Sequence, residues 1–230
     1  MSIADNLKRI NENISAAAGK SKRQPSDIML IAVTKTITAA LLQAEMQVLK
    51  NGGVWGFGEN RVQEMQEKQM LLSSDIEWHM IGHLQRNKVK YVVGRAAMIH
   101  SVDSLKLAEE ISRIAVIKQL AVDILIEINI AEETSKHGIN PEAAKEFVKQ
   151  IASLQNLAVK GLMTVAPFVE NPEENRSHFK KMAELFEEIN ADVCCPNLQY
   201  LSMGMTNDYE IAIEEGANIV RIGTGIFGER

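Results

Sequence analysis

Met29-Leu30-Ile31-Ala32-Val33-Thr34-Lys35-Thr36 is the stretch on which the fold turns. Five apolar residues and a threonine run straight into a lysine, with no glycine in the turn that follows. A continuous apolar run of this length predicts a strand buried on both faces, as in a parallel sheet. An open doubly wound sheet carries a glycine-rich fingerprint after its first strand. Val33-Thr34-Lys35-Thr36 lacks one, so the comparison shifts toward a closed barrel.

Working outward, similar runs recur along the chain. Candidate strands are 29–34, 54–58, 78–82, 98–101, 122–130, 159–163, 198–202 and 218–221. Helical spacing fills the gaps, as in Leu105, Ala108, Ile111, Ala115 and in Phe179, Met182, Leu185, Phe186, Ile189. Gly52-Gly53 and Gly94 end helices, Pro141 opens one, and Asn171-Pro172-Glu173-Glu174 reads as an N-cap with acids in the first turn. Eight strands with helices between them predict an α/β fold, a (β/α)8 TIM-type barrel. An extra amphipathic helix over 3–17 precedes it, with Ile3, Leu7, Ile10 and Ile14 on one face. The expectation is a single domain over 1–230.

Composition narrows the function. A net charge of −5 gives no basic footprint for nucleic acid or an anionic membrane. No apolar run approaches a membrane span, and the polar N-terminus does not read as a signal peptide. Cys194 and Cys195 are adjacent, which suits a reducing compartment, so a cytoplasmic location is expected.

In such a barrel, chemistry sits at the C-terminal ends of the strands. After the last two strands come Ser202-Met203-Gly204-Met205-Thr206 and Arg221-Ile222-Gly223-Thr224-Gly225. Glycines there admit an anion close to the backbone, and Ser202, Thr206 and Thr224 add hydroxyls. The same residues read equally as turn glycines and helix caps. Lys35 at a barrel mouth, partly desolvated, would offer a neutral amine to an aldehyde. On the strand alone, a lysine extending to water is the commoner reading. His79 and His83 have no carboxylate at ligand spacing in sequence, so no metal is expected, and His79 is assigned to the pocket wall.

These strand ends carry a set of motifs: Ala32-Val33-Thr34-Lys35, Gly58-Glu59-Asn60 with Val62-Gln63-Glu64, and Trp78-His79-Met80-Ile81-Gly82 with Leu84-Gln85 and Asn87-Lys88. Ser135-Lys136-His137-Gly138, Gly161-Leu162-Met163, Leu201-Ser202-Met203-Gly204-Met205 with Asp208, and Arg221-Ile222-Gly223-Thr224 with Phe227-Gly228 follow. In this order and over essentially the whole chain, the sequence resembles the pyridoxal phosphate homeostasis proteins, whose barrel is similar to the N-terminal domain of alanine racemases. The resemblance implies pyridoxal 5′-phosphate (PLP) held as a Schiff base on Lys35. It also implies phosphate contacts at Ser202, Gly223 and Thr224, and Arg221 facing the pyridine nitrogen. With Asn60, His79, Met203 and Gly204, these make the expected cofactor-contacting set. His83 and His137 depart from the smaller residues expected in their loops.

An arginine beside the ring nitrogen is not a proton donor, which weakens the ring as an electron sink. The sequence ends at Arg230 without the β domain that follows the barrel in alanine racemases. The expected role is therefore buffering and carrying PLP, with possible delivery to PLP-dependent apo-enzymes, by a monomer without robust turnover. Lys136 is a candidate for transient loading. The alternatives are a weak amino-acid racemase drawing a second base from Tyr91, Tyr200 or Tyr209, and, outside PLP chemistry, a phosphosugar isomerase with a glutamate base.

Overall fold

The computed structural model describes residues 2–133, 137–192 and 195–228. Eight parallel strands close a barrel in sequence order: β1 (Met29–Val33), β2 (Val54–Glu59), β3 (Trp78–Met80), β4 (Met98–Val102), β5 (Val122–Glu127), β6 (Leu157–Met163), β7 (Tyr200–Ser202) and β8 (Ile219–Ile222). The closing seam pairs β1 with β8, from Met29 beside Ile219 to Ala32 beside Ile222. Helices α2 (Ala39–Asn51), α3 (Val62–Leu71), α4 (Val89–Val92), α5 (Leu105–Lys118), α6 (Pro141–Ala152), α7 (Arg176–Asn190) and α8 (Tyr209–Glu214) make the crossovers, and α9 (Thr224–Phe227) follows β8. The (β/α)8 expectation holds.

Several boundaries differ from those expected. The fifth strand stops at Glu127 rather than residue 130, and Ile128 instead forms a lone bridge to Ile139. The third stops at Met80, short of Gly82. Asn171 does cap a helical turn, its side chain accepting from the Glu173 amide at 3.2 Å. That turn is 3-10 over Pro172–Asn175, however, and α7 starts only at Arg176. Pro141 opens α6 as read, and the Asn140 side chain caps it, accepting from Glu142 N at 2.9 Å.

Helix α1 (Ile3–Lys20) runs one turn beyond the expected end. Ser2 and Asp5 form a reciprocal capping box at its start. Its buried face of Leu7, Ile10, Ile14 and Ala17 packs on α8 and α9. Polar contacts fix the register: Asn6 Nδ2 donates to Ile226 O at 2.9 Å, Lys20 pairs with Glu214 at 2.7 Å, and Arg23 donates to the carbonyls of Ile213, Gly216 and Ala217. The chain's first and last elements are thus clamped together. Among the described residues, no helix is long and apolar enough to cross a membrane.

Candidate cofactor site

A cavity of about 400 Å³ opens at the C-terminal ends of β1, β6, β7 and β8. Val33 and Lys35 line it from β1, Pro167, Phe168 and Val169 from the loop after β6, Met205 to Asp208 from the loop after β7, and Arg221, Gly223 and Thr224 from β8. A wider, open groove of about 790 Å³ between α1 and α2 lies away from all the strand ends.

One wall is a hydroxyl-and-amide cup. Thr224 Oγ1 donates to Thr206 Oγ1 at 3.2 Å, and the Gly225 amide donates to the same oxygen at 3.1 Å. A Cβ on Gly225 would come within 2.9 Å of Ile222 and 3.1 Å of Thr206, so the cup closes only around glycine. Asp208 organises the rim: its carboxylate accepts from Met205 N at 2.7 Å and from Asn175 Nδ2 at 2.9 Å. Asn175 Nδ2 also donates to Pro167 O at 2.9 Å, joining the loops after β6 and β7.

Arg221 is 3% exposed and lines the cavity with its guanidinium. Burial pushes its pKa down to about 10, while Glu127 and Asp208 favour the charge. Its Nη1 donates to Ser202 Oγ at 2.6 Å and its Nη2 to Thr164 O at 2.8 Å. Its own amide donates to Gly204 O at 3.1 Å. Gly204 sits at φ +90°, and a Cβ there would meet Ala212 at 2.6 Å.

Behind Arg221 a polar chain crosses the interior. Ser202 Oγ lies 3.2 Å from His100 Nδ1, and His100 Nε2 lies 3.0 Å from His79 Nδ1. With Arg221 donating to Ser202, one consistent assignment has Ser202 donating to His100 and His100 donating to His79. His79 Nε2 is then a buried atom without a hydrogen-bond partner. Both rings are held neutral by burial: His79 is pushed down to about 4 and His100 well below its ordinary range.

Lys35 stands at the rim and is exposed, not partly desolvated as its strand suggested. The reason is local backbone. Thr36 takes φ +65°, an uncommon conformation for a β-branched residue, and turns the chain outward. Its amide donates to Glu64 Oε2 at 2.9 Å, while on the other side of Lys35 the Thr34 carbonyl accepts from Lys68 Nζ at 2.7 Å. Lys35 is therefore flanked by two anchored residues.

Of the expected set, the structure brings Lys35, Arg221, Gly223 and Thr224 to the cavity wall. Ser202 lies behind Arg221 and is committed to it, Met203 is core, and Gly204 shapes the turn. His79 is in the barrel interior, and Asn60 packs its backbone where a Cβ on Gly82 would fall. Sequence reasoning underrated Thr206 and missed Phe168, whose signal was an apolar Pro167-Phe168-Val169 run in a loop. It also found no carboxylate for His83, yet the fold brings Asp103 to 3.1 Å from it, because β3 and β4 end side by side. Lys136 and Cys194 lie outside the described residues.

The chain matches the family described as "Alanine racemase, N-terminal domain" over residues 6–230. A pyridoxal phosphate homeostasis protein of Aquifex aeolicus is 42% identical over 231 residues, covering 100% of this chain and 99% of that one. Its namesake in Haemophilus influenzae is 36% identical, covering 100% and 97%. The structure of PipY of Synechococcus elongatus with PLP bound superposes with a TM-score of 0.83 at 32% identity, covering 99% of this chain and all of that one. Similarity at this level runs the full length of the chain, and the chain belongs to the pyridoxal phosphate homeostasis protein family.

Proposed function

We propose that the chain binds PLP in the cavity as a Schiff base on Lys35 and serves to buffer and carry it. The observation that carries this is one cavity lined by a primary amine, a guanidinium and a Thr206–Thr224 hydroxyl cup. That donor set fits the group: an amine for an aldehyde, hydroxyls and amides for a phosphate, a fixed cation for a ring nitrogen. PLP, when bound, supplies the aldehyde and an electron-withdrawing ring.

The chain's own residues bind and orient. Thr206, Gly223 and Thr224 would hold the phosphate, and Lys35, at the end of the neighbouring strand β1, would supply the amine for the aldehyde. Arg221, fixed by Ser202 and Thr164, would offer the ring nitrogen a hydrogen bond without surrendering a proton. Racemisation would need a second base, and the candidate tyrosines are elsewhere. Tyr209 is buried with its hydroxyl accepting from Asn13 at 3.0 Å, Tyr200 packs on the Met98, Leu125 and Met163 cluster, and Tyr91 is on α4. An isomerase base fares no better, since Glu59 and Glu127 are buried away from the cavity wall and Asp208 is committed to Met205 and Asn175. An exposed amine in an open cavity favours exchange of PLP over turnover. We infer on the same reading that it acts in the cytoplasm as a single, monomeric barrel domain, with PLP-dependent apo-enzymes as acceptors.

The test is the absorbance spectrum of wild type and Lys35→Ala with added PLP, followed by borohydride reduction and mass mapping. A Schiff-base band lost in the variant, with the adduct on Lys35, supports the site. No band in either protein would sink it.

A further inference from the structure

On the opposite side of the barrel mouth, three side chains that the cofactor reading does not use come together. His83 Nδ1 lies 3.1 Å from Asp103 Oδ2, and His137 Nδ1 lies 3.7 Å from the same oxygen. One ligand atom from each lies within 4.8 Å of the others. The two imidazoles stack, with centroids 3.9 Å apart and planes 12° apart. We propose that His83, Asp103 and His137 form a binding site for a divalent transition metal of the zinc class.

Spacing is the first argument. Nitrogen and oxygen ligands sit about 2.0–2.2 Å from zinc, so two of them on a tetrahedral ion lie about 3.4 Å apart. The two distances from Asp103 Oδ2, 3.1 and 3.7 Å, bracket that value. Ligand chemistry is the second: two imidazoles and a carboxylate are a donor set that suits zinc, with the remaining position left to water. Stacked rings do not aim both lone pairs at one point. Both histidines are largely exposed, at 41% and 57%, so each can turn about its ring axis without disturbing the core.

The stems of all three ligands are fixed by the barrel. His83 follows Gly82, whose carbonyl accepts from Ser101 Oγ at 2.6 Å. Asp103 follows the last residue of β4, is only 10% exposed, and has its other oxygen held by Ser104 Oγ at 3.2 Å. His137 precedes Gly138, at φ +114°, where a Cβ would strike Asn129 N at 2.6 Å. The next residue, Ile139, is tied to the end of β5 by Ile139 N to Glu127 O at 2.7 Å and Asn129 N to Ile139 O at 3.0 Å. Ligands mounted on such backbone need only side-chain rotation to bind, and a carboxylate already oriented by a neighbour is the usual partner in such sites. A bound ion would join the loop after β3 to the loop after β5 on the side of the mouth away from Thr206 and Thr224.

The experiment is a zinc titration of the untagged protein against a chromogenic chelator, repeated with cobalt(II) as a spectroscopic probe. Wild type should take up one equivalent with cobalt d–d bands and no thiolate charge-transfer band. Asp103→Asn and His83→Asn/His137→Asn should each lose roughly a hundredfold in affinity and keep the PLP band, and the double histidine variant should melt without metal as wild type does. No competition with the chelator, unchanged affinity in both variants, or a charge-transfer band assigning the metal to cysteine would each overturn the proposal.

Discussion

Lys68 Nζ and Glu59 Oε1 meet at 2.5 Å in the barrel wall beneath the Lys35 turn, with side chains 7% and 0% exposed. Glu59 also accepts from Thr34 Oγ1 at 2.6 Å, so the pair holds the last residue before Lys35 by both its side chain and, through Lys68, its carbonyl. Burial pushes the Glu59 carboxyl up, and Lys68 and Thr34 pull it back. Removing one partner of a buried pair strands the other charge. Lys68→Met should therefore cost about 3–5 kcal/mol in denaturant unfolding, and adding Glu59→Gln should recover part of the loss. A double variant that is simply the sum of two losses would show the two groups to be independent.

Thr206 and Ser202 should fail differently. If the cup holds the phosphate, Thr206→Ala should narrow the preference for PLP over pyridoxal by about tenfold, the worth of one charge-assisted hydrogen bond. Ser202→Ala instead leaves Arg221 Nη1 and His100 Nδ1 without a partner in the interior, a loss of about 1–3 kcal/mol in stability. Comparative titration with both ligands, beside unfolding curves, separates the two. An unchanged preference in Thr206→Ala together with a collapsed one in Ser202→Ala would reverse the assignment.

Two buried groups bias stability with pH in opposite senses. His79, at about 4 in the fold against an ordinary 6.5, contributes stability that is complete above 6.5 and lost as pH falls toward 4. Glu127 is raised by burial, then by Asp103, to about 7 from 4.5, so its contribution is complete below 4.5 and lost as pH rises through 7. Between these values the slopes oppose each other. Glu127→Gln removes one of them, so acidification from pH 6.5 should destabilise the variant more steeply than wild type by about 1.4 kcal/mol per pH unit. At pH 8 the variant should gain about 3 kcal/mol. Parallel stability profiles for the two proteins would contradict this.

The barrel was legible because strands such as Met29–Val33, and the Ile124–Ile126 centre of β5, are short apolar runs repeated at regular intervals between helical patterns. Lys35, Arg221, Gly223 and Thr224 were legible because strand ends point one way in this fold. What escaped depended on contacts between distant segments. Asp103 meets His83 only because adjacent strands finish at one level, and no spacing in sequence encodes that. The exposure of Lys35 follows from the φ of Thr36, which no residue-type rule assigns to a threonine. Ser202 looked like a phosphate ligand because hydroxyls in glycine loops often are, but register turns it toward Arg221.

The clamp between α1 and the last elements, with the β1–β8 seam beneath it, sets an order of events during synthesis. Residues near the N-terminus emerge from the ribosome first, yet α1 and β1 meet chiefly α2 and β2 until α8, β8 and α9 have been made to cover the rest. The amine of Lys35 likewise waits for Arg221, Gly223 and Thr224. A nascent chain thus holds its lysine without a cavity around it, and closure of the barrel and completion of the site are the same late step.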